Sequence, residues 1–390
     1  MATQTHFECI VVGAGVEGSA TAYQLAKKGR KTLLLEKFPL PHSRGSSHGA
    51  SRITRKVYTG NPTYTQMMLE GYPLWAQLEQ EEGKQLLRKT GVLWMGHRSD
   101  GEVVRIAESM RKFKLPHKIL TASEVCQQYP QLEYSSEWEG LYDPEGGILY
   151  ADKCVNAFRN QFCRLGGTLR DGEPMDTVVP GKPVTVATSK GSYTCDSLIL
   201  CLGAWAGQFL QSLGLSLPLQ PTTVKACYFT EEKPGEYAAD KFPCFISDDS
   251  KEGFLYGLSG DEYPGMFKFC LFGGVAVDSA DNRDGIEPAK AEFMIAKPAN
   301  YIRNHMKRLN TQPAIVETCM FTMTPDWDFI LDLHPRYKNI VIGAGFSGHG
   351  FKLSPVVGKI LAALATGQQP EYDMTRFRID RFDKKTQSKL

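Results

Sequence analysis

Gly13-x-Gly15-x-x-Gly18 follows the apolar run Cys9 to Val12 and opens a helical pattern. Glycine at these positions permits a tight turn and lets backbone N–H groups approach a pyrophosphate at a helix N-terminus. Glu36 ends the next apolar run, where a carboxylate accepts hydrogen bonds from ribose hydroxyls. The glycines alone match many chains by chance; strand, turn, helix and acid together describe a dinucleotide site. They do not separate NAD from FAD, although a fold that starts within ten residues of Met1 leans towards FAD.

A second glycine cluster, Gly343-x-Gly345-x-x-Gly348-x-Gly350, stands near the C-terminus. As another phosphate loop it would make a two-dinucleotide reductase, but no partner acid follows it. Four glycines before a helix still offer N–H groups and a positive dipole end to an anion such as a reduced flavin. Packing alone is the plainer reading. Arg44, His48, Arg52, Arg55 and Lys56 crowd the glycine-rich stretch SRGSSHGASRITRK. Such a cluster is ordinarily a solvated face; beside a cofactor unit it could equally contact a carboxylate or a flavin. Cys319 lies in ETCMFTMTPDWDF, one of ten scattered cysteines without a C-x-x-C pair or metal-ligand spacing. By default each is a small buried hydrophobe in a reduced compartment, and no metal site is expected.

The elements that would position these residues can be read from periodicity. Residues 8 to 37 form a strand–helix–strand unit, its helix ending at Lys27-Lys28-Gly29. Residues 61 to 90 look helical, as do 102 to 113 and 153 to 165, the last amphipathic. The stretch 220 to 275 alternates strand-like segments with turns and predicts an antiparallel sheet. Residues 290 to 310 read as a helix broken at Pro298. NIVIGAGFSGHGFKLSPVVGKILAALATG then repeats the opening theme of strand, glycine turn and helix.

At 390 residues two domains are the natural expectation. Composition is that of a globular protein, 42% apolar and 23% charged. A net charge of +2 gives no electrostatic case for nucleic acid or anionic membrane. No apolar run approaches the roughly 20 residues needed to span a bilayer. A strand begins almost at once, so no signal peptide is expected. The chain ends Ser388-Lys389-Leu390, the tripeptide read as a peroxisomal address by an import receptor.

Along essentially its whole length the chain resembles the monomeric sarcosine oxidase family of flavoenzymes, including its peroxisomal members. The matching stretches are IVVGAGVEGSATAYQLAKKG, PHSRGSSHGASRITRKVY, GAW at 203 to 205, ETCMFTMTPDWDFILDLHP and VIGAGFSGHGFKLSPVVGK. The resemblance implies FAD, bonded through its 8α-methyl to the cysteine of the C-M-[YF]-T motif, here Cys319. Attack on that methyl requires thiolate, favoured by positive charge from the His48 and Arg52 region over the flavin. Lys268, in MFKFC, corresponds to the cation beside flavin N5 that activates O2. Arg55 and Lys352 correspond to the clamp on the substrate carboxylate, and Tyr256 to a tyrosine of the substrate cavity. Taken on their own residues, Lys268 would be a solvent-facing strand lysine and Tyr256 a packed core aromatic. One departure stands out: four residues after Lys268 the family has histidine and this chain has Phe272.

The fold expected is α/β (α+β overall), a Rossmann-like FAD domain of the glutathione-reductase/D-amino-acid-oxidase type with a large antiparallel sheet covering the flavin. The FAD domain would comprise residues 1–90, 150–220 and 320–390, and the substrate domain 91–149 and 221–319. The activity implied is oxidation of a secondary amino acid (sarcosine, L-pipecolate, weakly L-proline) by hydride transfer to N5, with O2 reduced to hydrogen peroxide. The enzyme would be a peroxisomal monomer. Its rivals are a dehydrogenase passing electrons to a protein acceptor and a non-catalytic flavin protein; an NAD dehydrogenase fits only the first motif.

Overall fold

The computed structural model describes residues 5–383; Ser388, Lys389 and Leu390 lie outside them. The strand Thr5–Val12 sits in the middle of a parallel core, between Thr32–Leu35 and Gly191–Leu200. Thr168–Arg170 extends it on one side and Ile340–Ala344 on the other. Ile330–Leu333 closes that edge antiparallel, and Met175–Val179 and Val184–Thr188 complete an eight-stranded sheet. These central strands are buried on both faces, which explains runs of Val, Ile and Leu without alternation. Chain order reverses at Thr5–Val12, so the crevice beyond its C-terminal end, at Gly13, is a topological switch point.

Both glycine turns lead into helices that cross the same face of this sheet. Val16–Lys27 follows the first, and Gly29, at φ +72°, ends it in the left-handed conformation. Ser354–Ala365 follows the second after a short 3₁₀ turn, Phe351–Leu353. A Cβ on Gly358 would fall 2.7 Å from the backbone carbon of Ala20, so glycine is what lets the two helices pack this closely. Their N-termini therefore converge on one crevice.

A nine-stranded sheet lies across that crevice. It combines Val92–His97, Lys118–Thr121 and Trp138–Asp143 with strands from residues 220–323. All its pairings are antiparallel except that between Cys244–Asp249 and Val92–His97. The strand Met266–Leu271 shows how it faces two ways. Phe267 and Phe269 pack into the aromatic core that also holds Tyr301 of the helix Pro288–His305, while Lys268 and Cys270 point to the other face. A small third sheet joins Ser51–Thr54, Gly147–Tyr150 and Leu87–Lys89.

Three sequence expectations need correction. The helix expected over 61–90 is Pro62–Glu82, capped by the Asn61 side chain and stopped at Gly83, and a short strand occupies Leu87–Lys89. The helix expected to break at Pro298 runs through it from Pro288 to His305; Pro298 is buried, and packing of that face offsets the one lost backbone hydrogen bond. The domain borders drawn at 220/221 and 319/320 fall inside the strands Gln220–Thr230 and Ile315–Met323, which pair with each other.

Candidate active site

A cavity of about 800 Å³ opens at the crevice, lined by Gly13, Gly15, Gly18, Glu36, the 45–49 loop, Arg52, Arg159, Gly348 and Gly350. The first turn depends on its glycines. Gly13 has φ +99°, and a Cβ there would sit 2.2 Å from the Cys201 carbonyl oxygen; one on Gly18 would sit 1.8 Å from the Gly13 carbonyl. A bulky ligand can thus meet bare backbone at the N-terminus of Val16–Lys27, where the helix dipole favours phosphate. Glu36 accepts from Ala14 N at 2.8 Å and Phe38 N at 3.1 Å, with His42 Nε2 at 3.3 Å. Burial opposes its charge, but His42 and those N–H groups outweigh burial and hold the carboxyl below its usual range. Ser47 Oγ accepts from Val16 N at 2.9 Å, and Arg159 donates to the Ala14 carbonyl, Nε at 3.1 Å. Volume, acid and glycine cradle fit a dinucleotide cofactor.

The basic cluster divides into three jobs. Arg52 donates to the carbonyls of Ser46 (3.0 Å), His48 (2.6 Å) and Ser51 (2.8 Å), so it holds the loop that forms the cavity wall. His48 donates through Nδ1 to the Gly45 carbonyl at 2.6 Å, which leaves Nε2 with its lone pair. Burial pushes this imidazole below its usual value, and Arg52 and Arg283 add to the effect. The positive charge expected from the His48 and Arg52 region is therefore the arginines' at neutral pH. Arg283 donates to the Ser43 carbonyl and, at 3.2 Å, to that of Arg44. Lys56 is committed to Glu145 at 2.7 Å.

Arg55 goes elsewhere. Its guanidinium lies 4.6 Å from the ring centre of Tyr58 and 4.8 Å from that of Trp94, and it donates to the Val57 carbonyl. Lys352 Nζ lies 5.3 Å from the same Tyr58 ring and donates to the His349 carbonyl at 3.2 Å. Among the described residues neither cation has a carboxylate partner in ion-pair contact. Burial, then Arg55, pushes Lys352 well below the ordinary lysine value, and burial also lowers Arg55. Beside them His349 Nε2 donates to the Trp327 carbonyl at 3.1 Å, so Nδ1 accepts from Tyr58 Oη at 3.2 Å. Burial, Lys352 and Arg55 push its pKa down to about 3, so the ring is neutral.

Cys319, half-buried, has its Sγ 3.9 Å from the Ser46 carbonyl, the same oxygen that Arg52 holds at the cavity wall. Its strand is stitched to the second glycine loop by Ser347, whose N donates to the Thr322 carbonyl at 2.9 Å and whose Oγ accepts from Thr324 N at 3.1 Å. Gly348 and Gly350 line the cavity; Gly345 stands behind, where a Cβ would meet Thr324 Cγ2 at 2.4 Å. Lys268 is buried against Glu262 and the Tyr228 ring rather than facing solvent. Tyr256 packs against Cys270, on the side where Arg52 and Cys319 act on it; burial pushes its phenol well up. Phe272 meets Phe254, Phe321 and Trp327 at ring-centre distances of 5.2, 5.6 and 5.7 Å, beside Gly348.

Five residues of this arrangement escaped the sequence reading: Tyr58, Arg159, Glu262, Arg283 and His349. His349 stands inside the second glycine cluster, a signal that could have found it. The others owe their places to contacts across long stretches of chain.

Comparison with known proteins agrees with this geometry. The model of the family FAD dependent oxidoreductase matches residues 8–364. A peroxisomal sarcosine oxidase of Mus musculus is 45% identical over 98% of both chains, and that of Homo sapiens 44% over 96% of both. A monomeric sarcosine oxidase from a Bacillus species is 36% identical over 97% of this chain and 96% of its own. Among solved structures, the amino acid oxidase NikD in its open form superposes with a TM-score of 0.82 at 25% identity, covering 96% of this chain and 98% of that one. An L-proline dehydrogenase from P. horikoshii shares the fold, with a TM-score of 0.81 at 21% identity over 98% and 99% of the two chains.

Proposed function

The chain belongs to the FAD dependent oxidoreductase family, among its sarcosine oxidases, and we propose that it is an oxidase of small secondary amino acids whose carboxylate is gripped by Arg55 and Lys352. The observation that carries this reading is the pair itself. Two neighbouring cations held out of water without a counter-charge are costly, and a substrate carboxylate entering between them removes that cost. The guanidinium fork and the ammonium fix one end of the substrate and so the direction of its Cα–H. The neutral His349 holds Tyr58 by accepting its hydroxyl proton, and Tyr58 presents a ring face to both cations. The aromatic group around Phe272 gives the amine end an apolar wall, which favours a bulkier N-substituent or a ring, so L-pipecolate joins sarcosine as a candidate, with L-proline weaker.

When bound, FAD supplies the two-electron acceptor: hydride leaves the substrate carbon, the resulting imine is hydrolysed by water, and O2 takes the electron pair as hydrogen peroxide. We assign Gly13, Gly15, Gly18, Glu36, Gly348 and Gly350 to cofactor binding, Gly345 to the packing behind that loop, and Tyr256 to the substrate side. His48 and Arg52 shape the wall beside Cys319, which we read as the covalent attachment point, and Lys268 as the cation that stabilises charge on O2. The two-layer division expected from the sequence, an FAD part and a substrate part, is retained with its borders moved off the paired strands. The names of the mouse and human relatives support a peroxisomal location, with Ser388-Lys389-Leu390 as the signal. A monomer is the state assigned.

Anaerobic addition of sarcosine should bleach the flavin, and admitting O2 should restore it with release of peroxide. A flavin that stays yellow rules out the oxidase reading. Acid-precipitated protein should keep its colour in the pellet, and Cys319→Ser should give a white pellet and a yellow supernatant. Colour retained by the variant would remove Cys319 as the attachment point.

A further inference from the structure

Glu262 lies in the turn before the strand that carries Lys268, and their side chains, only 12% and 6% exposed, approach to 3.4 Å. Glu262 Oε1 also accepts from Ser51 Oγ at 2.9 Å and from Tyr228 Oη at 2.9 Å. Those donors belong to two different sheets, and Ser51 immediately precedes Arg52 on the cofactor wall. Ion pairs buried for stability alone gain little over apolar packing. This one is tied to two sheets, through Ser51 to the three-stranded sheet and through Tyr228 to the nine-stranded one that also carries Lys268. Burial opposes the charge on Glu262, but Lys268, Ser51 and Tyr228 outweigh it and hold the carboxyl below its usual range. The other titratable or charged groups near the pair include Cys270 on the lysine's own strand, Tyr256 on the neighbouring strand, Glu317 and Cys319 on Ile315–Met323, Tyr263 and Asp261 in the turn, the latter paired with Arg88, and Arg52 on Ser51–Thr54. Glu317 is itself engaged by Tyr263 at 2.7 Å and Tyr228 at 3.2 Å, which leaves Glu262 as the carboxylate in contact with Lys268.

We propose that Glu262 is a positioning residue for the oxidative half of the reaction, fixing both the place and the proton of the Lys268 ammonium through a clamp anchored by Ser51 and Tyr228. The proposal rests on the reading of Lys268 as the cation that serves O2. A buried ammonium stripped of its counter-charge gives up its proton more readily, so Glu262→Gln should turn a steady property into a pH-dependent one.

The test uses holoenzyme reduced with sarcosine and mixed with O2 between about pH 6 and 10. The Glu262→Gln reoxidation rate should fall by at least about tenfold at the alkaline end, where wild type holds its rate. Affinity of the oxidised protein for sulfite, read from loss of flavin absorbance, should fall over the same interval relative to wild type. Ser51→Ala, which keeps the carboxylate and loses one anchor, should show a smaller change in the same direction. Lys268→Met should reoxidise slowly at every pH, and adding Glu262→Gln to it should change nothing. A Glu262→Gln profile that superimposes on wild type, or an alkaline loss that persists in the Lys268→Met background, overturns the proposal. If Lys268→Met reoxidises normally, the oxygen reading of Lys268 fails and this one falls with it.

Discussion

Lys352 and Arg55 make binding a matter of protons as well as contacts. In the free protein Lys352 holds its proton weakly, because burial and Arg55 both act against its charge. A bound carboxylate acts in the opposite sense and raises that affinity for the proton. Binding should therefore take up a proton, and affinity should fall as pH rises from the depressed value of the free state towards the higher value of the bound state. Calorimetry with acetate, a carboxylate with no amine to oxidise, in buffers of different ionisation heat measures this directly; Lys352→Met should abolish the uptake. Arg55→Ala should weaken binding of the same ligand by about 2–5 kcal/mol, the scale for stranding one partner of a buried charge contact. The types Cys319, Arg55 and Lys352 could be singled out from the sequence because their neighbours match a known pattern. Other residues could not: Tyr58, Arg159 and Glu262 matter through contacts that only the folded chain brings together.

The elements near the cofactor were the most legible, because each glycine turn is a local structure with a strand before it and a helix after it. Helix ends at Lys27 and Gly83 follow the ordinary punctuation of basic last turns and left-handed glycine. Pro298 misled, since a proline's local cost says nothing about the packing that can offset it. The close approach of Gly18 to Gly13 leads to a sharp expectation. A Cβ at 1.8 Å from a carbonyl oxygen cannot be absorbed by a side-chain rotation, so the turn itself must move. Gly18→Ala should purify without flavin, because the dinucleotide must seat in the cradle before Cys319 can be bonded to it, and unfold at lower denaturant concentration, by about 1–3 kcal/mol as for other overpacked sites. Retained yellow colour with an unchanged midpoint would contradict this account of the turn.

At the level of the whole molecule, strand order was the part least open to reading. Nothing local to Val92–His97 says that it lies parallel to Cys244–Asp249, some 150 residues later. Resemblance supplied the two-layer plan, and the paired strands Gln220–Thr230 and Ile315–Met323 decide where its borders cannot run. The proposed location signal, Ser388-Lys389-Leu390, lies outside the described residues. Removing Leu390 should leave the enzyme active but cytosolic in cells with functional peroxisomes; continued import would discredit the tripeptide.

Cys319 sits opposite Val224 in the nine-stranded sheet, whereas the glycine turn proposed to receive the dinucleotide ends a strand of the eight-stranded one. Under the proposed attachment at Cys319, the flavin would be a tethered ligand whose other end rests in a separate layer. Its effective concentration at the glycine cradle, on the order of millimolar or more for a short tether, replaces its concentration in the surrounding solution. Dilution then no longer governs occupancy. The cradle is left with orientation as its task, and a site that would be too weak to retain a free dinucleotide can still keep this one in place.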